Sequence, residues 1–273
     1  MTAIMKISRL VVAAILLAGA GGVQAQTNTT TSTNQTNSNA AAAQPNGATP
    51  TNEWKSSVSF GLTIARGNTD TILDSTTAFT EKKWLQNDLM FGADGLYGET
   101  KLPNKSTETE TAEIIHGFSQ YNRSFGIDCY GYGRIDGFHD GIADIKYRLT
   151  LAPGLGCYFV TNKTMNFRVE TGPGYIKEQL DGATESFATL RLAEKFNYAF
   201  SPHAKAWESV EILPQVNEFD NYIVNAETGV EAGLTKGNRL SLRTVMQDSY
   251  NNVPAAGRLK NDLKLIASLA YKF

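Results

Sequence analysis

The stretch LKLIASLAYKF, residues 263–273, decides the fold. Leu263, Leu265, Ala267, Leu269, Tyr271 and Phe273 share one face, while Lys264, Ile266, Ser268, Ala270 and Lys272 share the other. Alternation over this length marks a β-strand, because successive side chains of extended backbone leave on opposite sides. The same period recurs upstream. Trp54, Ser56, Val58, Phe60, Leu62 and Ile64 oppose Lys55, Ser57, Ser59, Gly61 and Thr63. Met165, Phe167, Val169, Pro173 and Tyr175 oppose Asn166, Arg168, Glu170 and two glycines. Tyr222, Val224, Ala226, Val230, Ala232 and Leu234 oppose Asn225, Glu227, Gly229, Glu231 and Gly233. Leu240, Leu242, Thr244 and Met246 oppose Arg239, Ser241, Arg243 and Gln247.

Carried through the chain, the pattern predicts about twelve strands, at 54–65, 69–84, 87–101, 107–123, 126–138, 145–160, 163–177, 184–200, 203–214, 222–235, 238–250 and 258–273. Gly, Pro, Asn and Asp dominate the breaks, as turns require. Even-numbered connections (85–86, 125–126, 161–162, 201–202 and 236–237) are tight, and most odd-numbered ones, such as 217–221 and 251–257, are longer. Short turns at one rim and longer loops at the other, with an even strand count, describe a transmembrane antiparallel up-and-down β-barrel over 53–273. A soluble sandwich or small barrel typically builds strands of about five or six residues and turns its apolar face inward. Here the face opposite the apolar one is crowded with charge and glycine, which suits a polar lumen.

The N-terminus fits export. Lys6 and Arg9 precede an apolar run over 10–20, and Val23, Gln24 and Ala25 form an A-x-A-like cleavage site. This reads as a signal peptide over 1–25 rather than an anchor, since a spanning helix needs roughly 20 apolar residues. Residues 26–52 carry almost only Thr, Ser, Asn, Gln, Ala, Pro and Gly. They cannot bury enough apolar surface to offset chain ordering and read as a disordered leader. The formal net charge of −2, with no basic stripe, argues against a nucleic-acid partner.

On the inward face the pattern predicts a lumen lined by Tyr130, Tyr132, Arg134, Asp136, Arg168, Glu170, Glu227, Glu231, Arg239, Arg243, Lys260 and Lys264. Neighbouring strands alternate in sign, so ion pairs across the lumen are expected, and strong ion selectivity is not. Barrels of eight strands are filled by side chains and those of sixteen or more leave a channel, so twelve admits either a narrow pore or a closed lumen. Cys129 and Cys157 fall opposite each other across the fifth hairpin and are candidates for a disulfide in an oxidising compartment. Glu194 and Glu208 fall on apolar faces, which a β-bulge would correct by turning them inward.

Catalytic and metal chemistry find little support. Of the three histidines, only His139, beside Asp140, stands where an external site would sit, and no serine is near it in sequence. Asp136, His139, Asp140 and Asp144 match no calcium or zinc spacing. No cofactor and no metal is expected.

Two resemblances follow from these residues. The terminal Leu269, Tyr271 and Phe273 resemble the C-terminal signature of bacterial outer-membrane proteins, which the outer-membrane assembly machinery recognises. The opening segment, with Ser59, Phe60, Gly61 and Leu62 leading to a Gly67-Asn68-Thr69-Asp70 turn, resembles the YdiY-like salt-induced outer-membrane proteins, a domain family of unknown function. That resemblance would cover about 54–273 and supplies no catalytic residues. It implies outer-membrane location and a link to osmotic or salt conditions. The expected partners are outer-membrane lipid and lipopolysaccharide, the assembly machinery and periplasmic chaperones. The expected function is a non-enzymatic envelope or narrow-pore barrel; the alternatives are an outer-membrane hydrolase acting on lipid or peptide at the external rim, and an adhesion barrel.

Overall fold

A computed structural model describes residues 52–66, 71–101 and 108–273. The expected signal peptide, all but the last residue of the expected leader, the Gly67-Asn68-Thr69-Asp70 turn and the break at 102–105 lie outside the described residues.

Twelve strands run β1 (Trp54–Arg66), β2 (Thr71–Trp84), β3 (Asn87–Lys101), β4 (Glu108–Phe125), β5 (Cys129–Asp140), β6 (Ile145–Thr161), β7 (Met165–Leu180), β8 (Ala183–Ser201), β9 (Ala204–Gln215), β10 (Glu218–Gly233), β11 (Leu240–Asn251) and β12 (Asn261–Lys272). Each pairs antiparallel with its sequence neighbours, and β1 closes on β12 to complete a barrel. The seam runs from Ser57 opposite Lys272 to Arg66 opposite Leu263. Backbone bonds between Ser56 and Phe273 extend it by one more residue. Both ends of the ring therefore lie at one rim, called here the terminal rim. The other is the distal rim.

The turns depart from the expected alternation. At the distal rim, 181–182 and 216–217 are two-residue connections, as tight as any at the terminal rim. Asp181 and Gly182 both take positive φ, the conformation that Asp-Gly supplies to a tight hairpin. The expected loop at 217–221 is mostly strand: β10 begins at Glu218, opposite Gln215, and its polar residues are absorbed by a register shift before Tyr222. At the terminal rim, by contrast, 234–239 is a six-residue connection rather than a tight turn at 236–237.

The alternation sorts side chains as the sequence predicts. Phe60, Ile115, Leu149, Leu151, Leu155, Leu190, Val230, Leu242, Leu265 and Leu269 stand exposed on the outer surface. Their neighbours Ser57, Ser59, Arg168, Glu170, Arg191, Glu231, Ser241 and Arg243 are buried inside. Glu194 and Glu208 are the exceptions. The β8–β9 register is regular from Leu192 to Ala199, so no bulge turns them in, and both stay among apolar residues of the outer face.

Two features lock neighbouring strands. Tyr130 lies opposite Gly156, and Trp207 opposite Gly229. An added Cβ on either glycine would run into the facing ring, so glycine is what lets a large aromatic lie flat across the next strand. Near the terminal rim, Cys129 lies directly opposite Cys157, and the two form a disulfide on the outward-facing side.

Gly229→Val should destabilise the barrel by about 1–3 kcal/mol, the usual range for overpacking, as read by urea titration of the folded form. Denatured, unreduced protein should show no reactive thiol and reduced protein two; two thiols without reduction would refute the bridge.

Candidate functional site in the barrel lumen

Alternation places charged residues two apart on one strand side by side on the lumen wall. Arg168 and Glu170 of β7 are the centre of this wall, at 0% and 1% exposure. Glu170 accepts hydrogen bonds from Tyr130 Oη at 2.6 Å, Gln120 Nε2 at 3.3 Å and Arg191 Nη1 at 2.9 Å. Arg191 also reaches Glu211 Oε1 at 2.6 Å, and Arg168 donates to Tyr158 Oη at 3.3 Å. Beside them Arg134 grips Asp136, donates to Gln120 at 3.1 Å and lies over the Phe118 ring at 4.2 Å. His116 bridges Asp94 at 2.8 Å and Asp136 at 3.4 Å.

A second cluster sits across β9 to β12. Glu231 is shared by Lys205, Arg243 and Lys272. Trp207 Nε1 donates to Glu227 at 2.7 Å, and Gln247 donates to the same carboxylate at 2.8 Å. Buried charge is tolerated when it is paired, and Arg168, Glu170, Arg191, Glu231 and Arg243 are each ion-paired, while Arg168 Nε and Nη2, Glu231 Oε2 and Arg243 Nε make no hydrogen bond. Trp207, Arg168, Arg191, Tyr130, Met90, Gln120 and Glu170 are all fully buried, so side chains fill the terminal half of the lumen.

Above this plug, towards the distal rim, lies a cavity of about 230 Å³. Its floor includes Arg134, Arg191, Lys195, Glu211 and Glu227, and its upper part includes Phe138, Leu213, Ile223 and Ala255.

Most of the residues expected in the lumen face it. Tyr130, Tyr132, Arg134, Asp136, Arg168, Glu170, Glu227, Glu231 and Arg243 build the plug and its upper surface, and Lys264 lines the cavity. Two do not. Arg239 precedes β11 and is exposed in the 234–239 connection, because that turn is longer than its Lys-Gly signal suggested. Lys260 precedes β12 and is exposed at the cavity mouth, where its Nζ meets Asn252 at 3.0 Å. Leu269 and Tyr271 face outward, with the Tyr271 and Phe273 rings stacked at 6.2 Å.

Sequence reasoning missed Gln120, Arg191, Lys205, Trp207 and Glu211. The signal was available: on β4, β8 and β9 each falls opposite the apolar face, as Arg168 does on β7. His116 was read only as a mid-strand residue, and nothing in the sequence says that Asp94 and Asp136 flank it.

The acidic stretch near His139 does not converge. His139 Nδ1 meets the Lys146 carbonyl at 2.9 Å, Asp140 accepts from the Ile142 and Ala143 amides, and Asp144 pairs with Arg258. Among the described residues no three metal-binding side chains come together.

Magnitudes separate two kinds of ion pair here. Glu170→Gln leaves Arg168 and Arg191 buried without their carboxylate and should cost about 3–5 kcal/mol. Asp144→Asn breaks an exposed pair and should cost less than about 1 kcal/mol. Urea unfolding of the two variants should differ accordingly; equal effects would refute the central role of Glu170.

No curated protein matches the chain. Among solved structures, a NanC porin superposes with a TM-score of 0.54 at 9% identity, covering 79% of this chain and 100% of that one, which shows a shared barrel fold. A KdgM porin in complex with disordered oligogalacturonate gives 0.46 at 7% identity, with coverages of 80% and 99%. The translocator domain of the autotransporter NalP from Neisseria meningitidis gives 0.46 at 11% identity, with coverages of 84% and 90%. A family match spans residues 58–273, most of the chain and all but the opening of its barrel, and the protein belongs to the family of proteins of unknown function DUF481.

Proposed function

We propose that the protein is a non-enzymatic outer-membrane β-barrel, serving envelope structure or the narrow permeation of small solutes. One observation carries this: a closed ring of strands wears its apolar side chains outside and its charges inside. That polarity is wrong for water and right for lipid, because a bilayer accepts only chains whose backbone groups are all satisfied internally. Residues 1–25 would direct export, and the leader 26–52 would lie on the periplasmic side with the terminal rim. Leu269, Tyr271 and Phe273, on the outer face of the closing strand, are accessible to an assembly machinery. Lipid and lipopolysaccharide would contact the outer belt, and periplasmic chaperones would hold the chain before it inserts. The resemblance to salt-induced proteins adds a link to osmotic conditions.

The filled terminal half of the lumen favours a low-conductance barrel over a general pore. Heated and unheated samples from membrane extracts should migrate differently on a gel, as a compact barrel does. In a planar bilayer the wild type should show small or no unitary steps, and Arg168→Ala with Glu170→Ala should enlarge them. Recovery in the soluble fraction with no heat shift would overturn the proposal.

A further inference from the structure

A water-filled lumen should stay polar along its height, but on four strands this one turns apolar towards the distal rim, while Arg148, Glu178 and Asp140 keep buried charge at that level and Lys264 lines the cavity. On β7 the inward residues pass from Arg168 and Glu170 to Ile176, and on β9 from Lys205 and Trp207 to Leu213. On β10 Glu231 and Glu227 give way to Ile223, and on β4 His116 gives way to Ile114. Two apolar walls result: Ile176, Leu213 and Ile223 with Phe187 on one side, and Leu96, Ala112 and Ile114 with Phe138 on the other. The cavity reaches both walls and stands on the charged floor.

The cavity also has a roof. Residues 252–260, between β11 and β12, contribute Pro254, Ala255 and Leu259 to its lining, and Ala255 is buried. Arg258 Nε and Nη2 donate to Asp144 Oδ2 at 2.8 and 2.6 Å. Asp144 belongs to the connection between β5 and β6, which stands six strands from β11 and β12 in a ring of twelve. This ion pair therefore spans the mouth along a diameter. At the other end of the segment, Asn252 holds the Asp220 carbonyl and the Tyr222 carbonyl. Both partners of the Arg258–Asp144 pair are partly exposed, at 33% and 43%, so the latch is weak and yields readily.

We propose that this chamber binds a small amphipathic molecule, its apolar body between the two walls and its polar head on the charged floor, with residues 252–260 as the lid. The proposal deepens the solute reading of the barrel by naming the class of solute, and it rests on that reading. The volume of about 230 Å³ suits a short alkyl chain with one head group. The floor offers both signs, Arg191 and Lys195 beside Glu211 and Glu227, so the head is defined by hydrogen bonding rather than by a single charge.

Calorimetric titration of the folded full-length barrel with butanoate, hexanoate and octanoate, with hexylammonium and 1-hexanol as head-group arms, tests this. Burial of each added methylene contributes ~0.8 kcal/mol, so affinity should rise about fourfold per CH2 until the chamber is full. Ile223→Asn should weaken binding at least tenfold. If that strand variant fails to fold, Ala255→Phe fills the chamber from the lid, outside the strands, and should abolish binding. Asp144→Ala should speed both association and dissociation with little change in affinity. Absence of saturable binding by every chain probe, or affinity independent of chain length, overturns the site; unchanged exchange rates in Asp144→Ala overturn the lid. A heat-shifting barrel that binds none of the probes would refute this inference while leaving the membrane reading intact.

Discussion

The hydrogen bonds joining β1 to β12 remove the last free strand edge, and everything else in the molecule follows from that closure. An open sheet of eleven hairpins would present unpaired amide and carbonyl groups along two edges, which a bilayer cannot satisfy. Closing the ring satisfies the backbone once and for all, and leaves side chains to deal with two different surroundings. The outer face can then be as apolar as Leu263, Leu265 and Leu269 make it. The inner face is obliged to be something lipid does not touch.

What the inner face does with that freedom is set by the diameter. A twelve-stranded ring is too wide to be filled by aliphatic side chains alone and too narrow to stay open without small ones. This chain fills it with its longest side chains: Arg168, Arg191, Tyr130 and Trp207 all reach full burial. Large rings need somewhere to lie, and the glycines opposite them provide it, Gly156 beneath Tyr130 and Gly229 beneath Trp207. Long cations need counter-charges within reach, and Glu170 and Glu231 each serve several. Glycine and glutamate on the inner face are therefore two parts of one packing solution.

The sequence made this architecture legible to the extent that it rests on a period of two. Strand number, the β1–β12 seam and the inward position of Arg168 or Glu170 need only parity, and parity survives errors of a residue or two at the ends. What depends on register was legible at Cys129 and Cys157, across one short hairpin, and less so elsewhere. The polar run at 217–221 looks like a loop by composition, yet its residues pair with β9 because the bulge before Tyr222 absorbs the misfit. Arg239 carries the right parity but sits beyond the strand end, so parity alone misplaced it, and Lys260, also beyond its strand, reaches only the cavity mouth. His116 shows the deeper limit: its partners Asp94 and Asp136 are 22 and 20 residues away and meet it only across two neighbouring strands. At Glu194 and Glu208 the parity was right, and no bulge turns them inward. Two carboxyl groups do face outward, at a depth-dependent cost in lipid that is smaller for acids than for Arg or Lys.

The two ends of the lumen differ in how firmly they are shut, and energies decide what each can do. Removing one partner from the plug around Glu170 costs about 3–5 kcal/mol, because it strands a buried charge. Parting Arg258 from Asp144 exposes two groups already partly in water and costs about 1 kcal/mol or less. The distal contact is therefore the weaker of the two, and the distal rim is the easier one to open. On the proposed reading, the cavity between them communicates with the distal side more readily than with the terminal side. A solute entering past the strap meets the apolar walls first and the charged floor last, and it leaves the way it came unless something acts on the plug. On that reading the barrel is a one-sided vessel, and passage through it requires parting the Glu170 network.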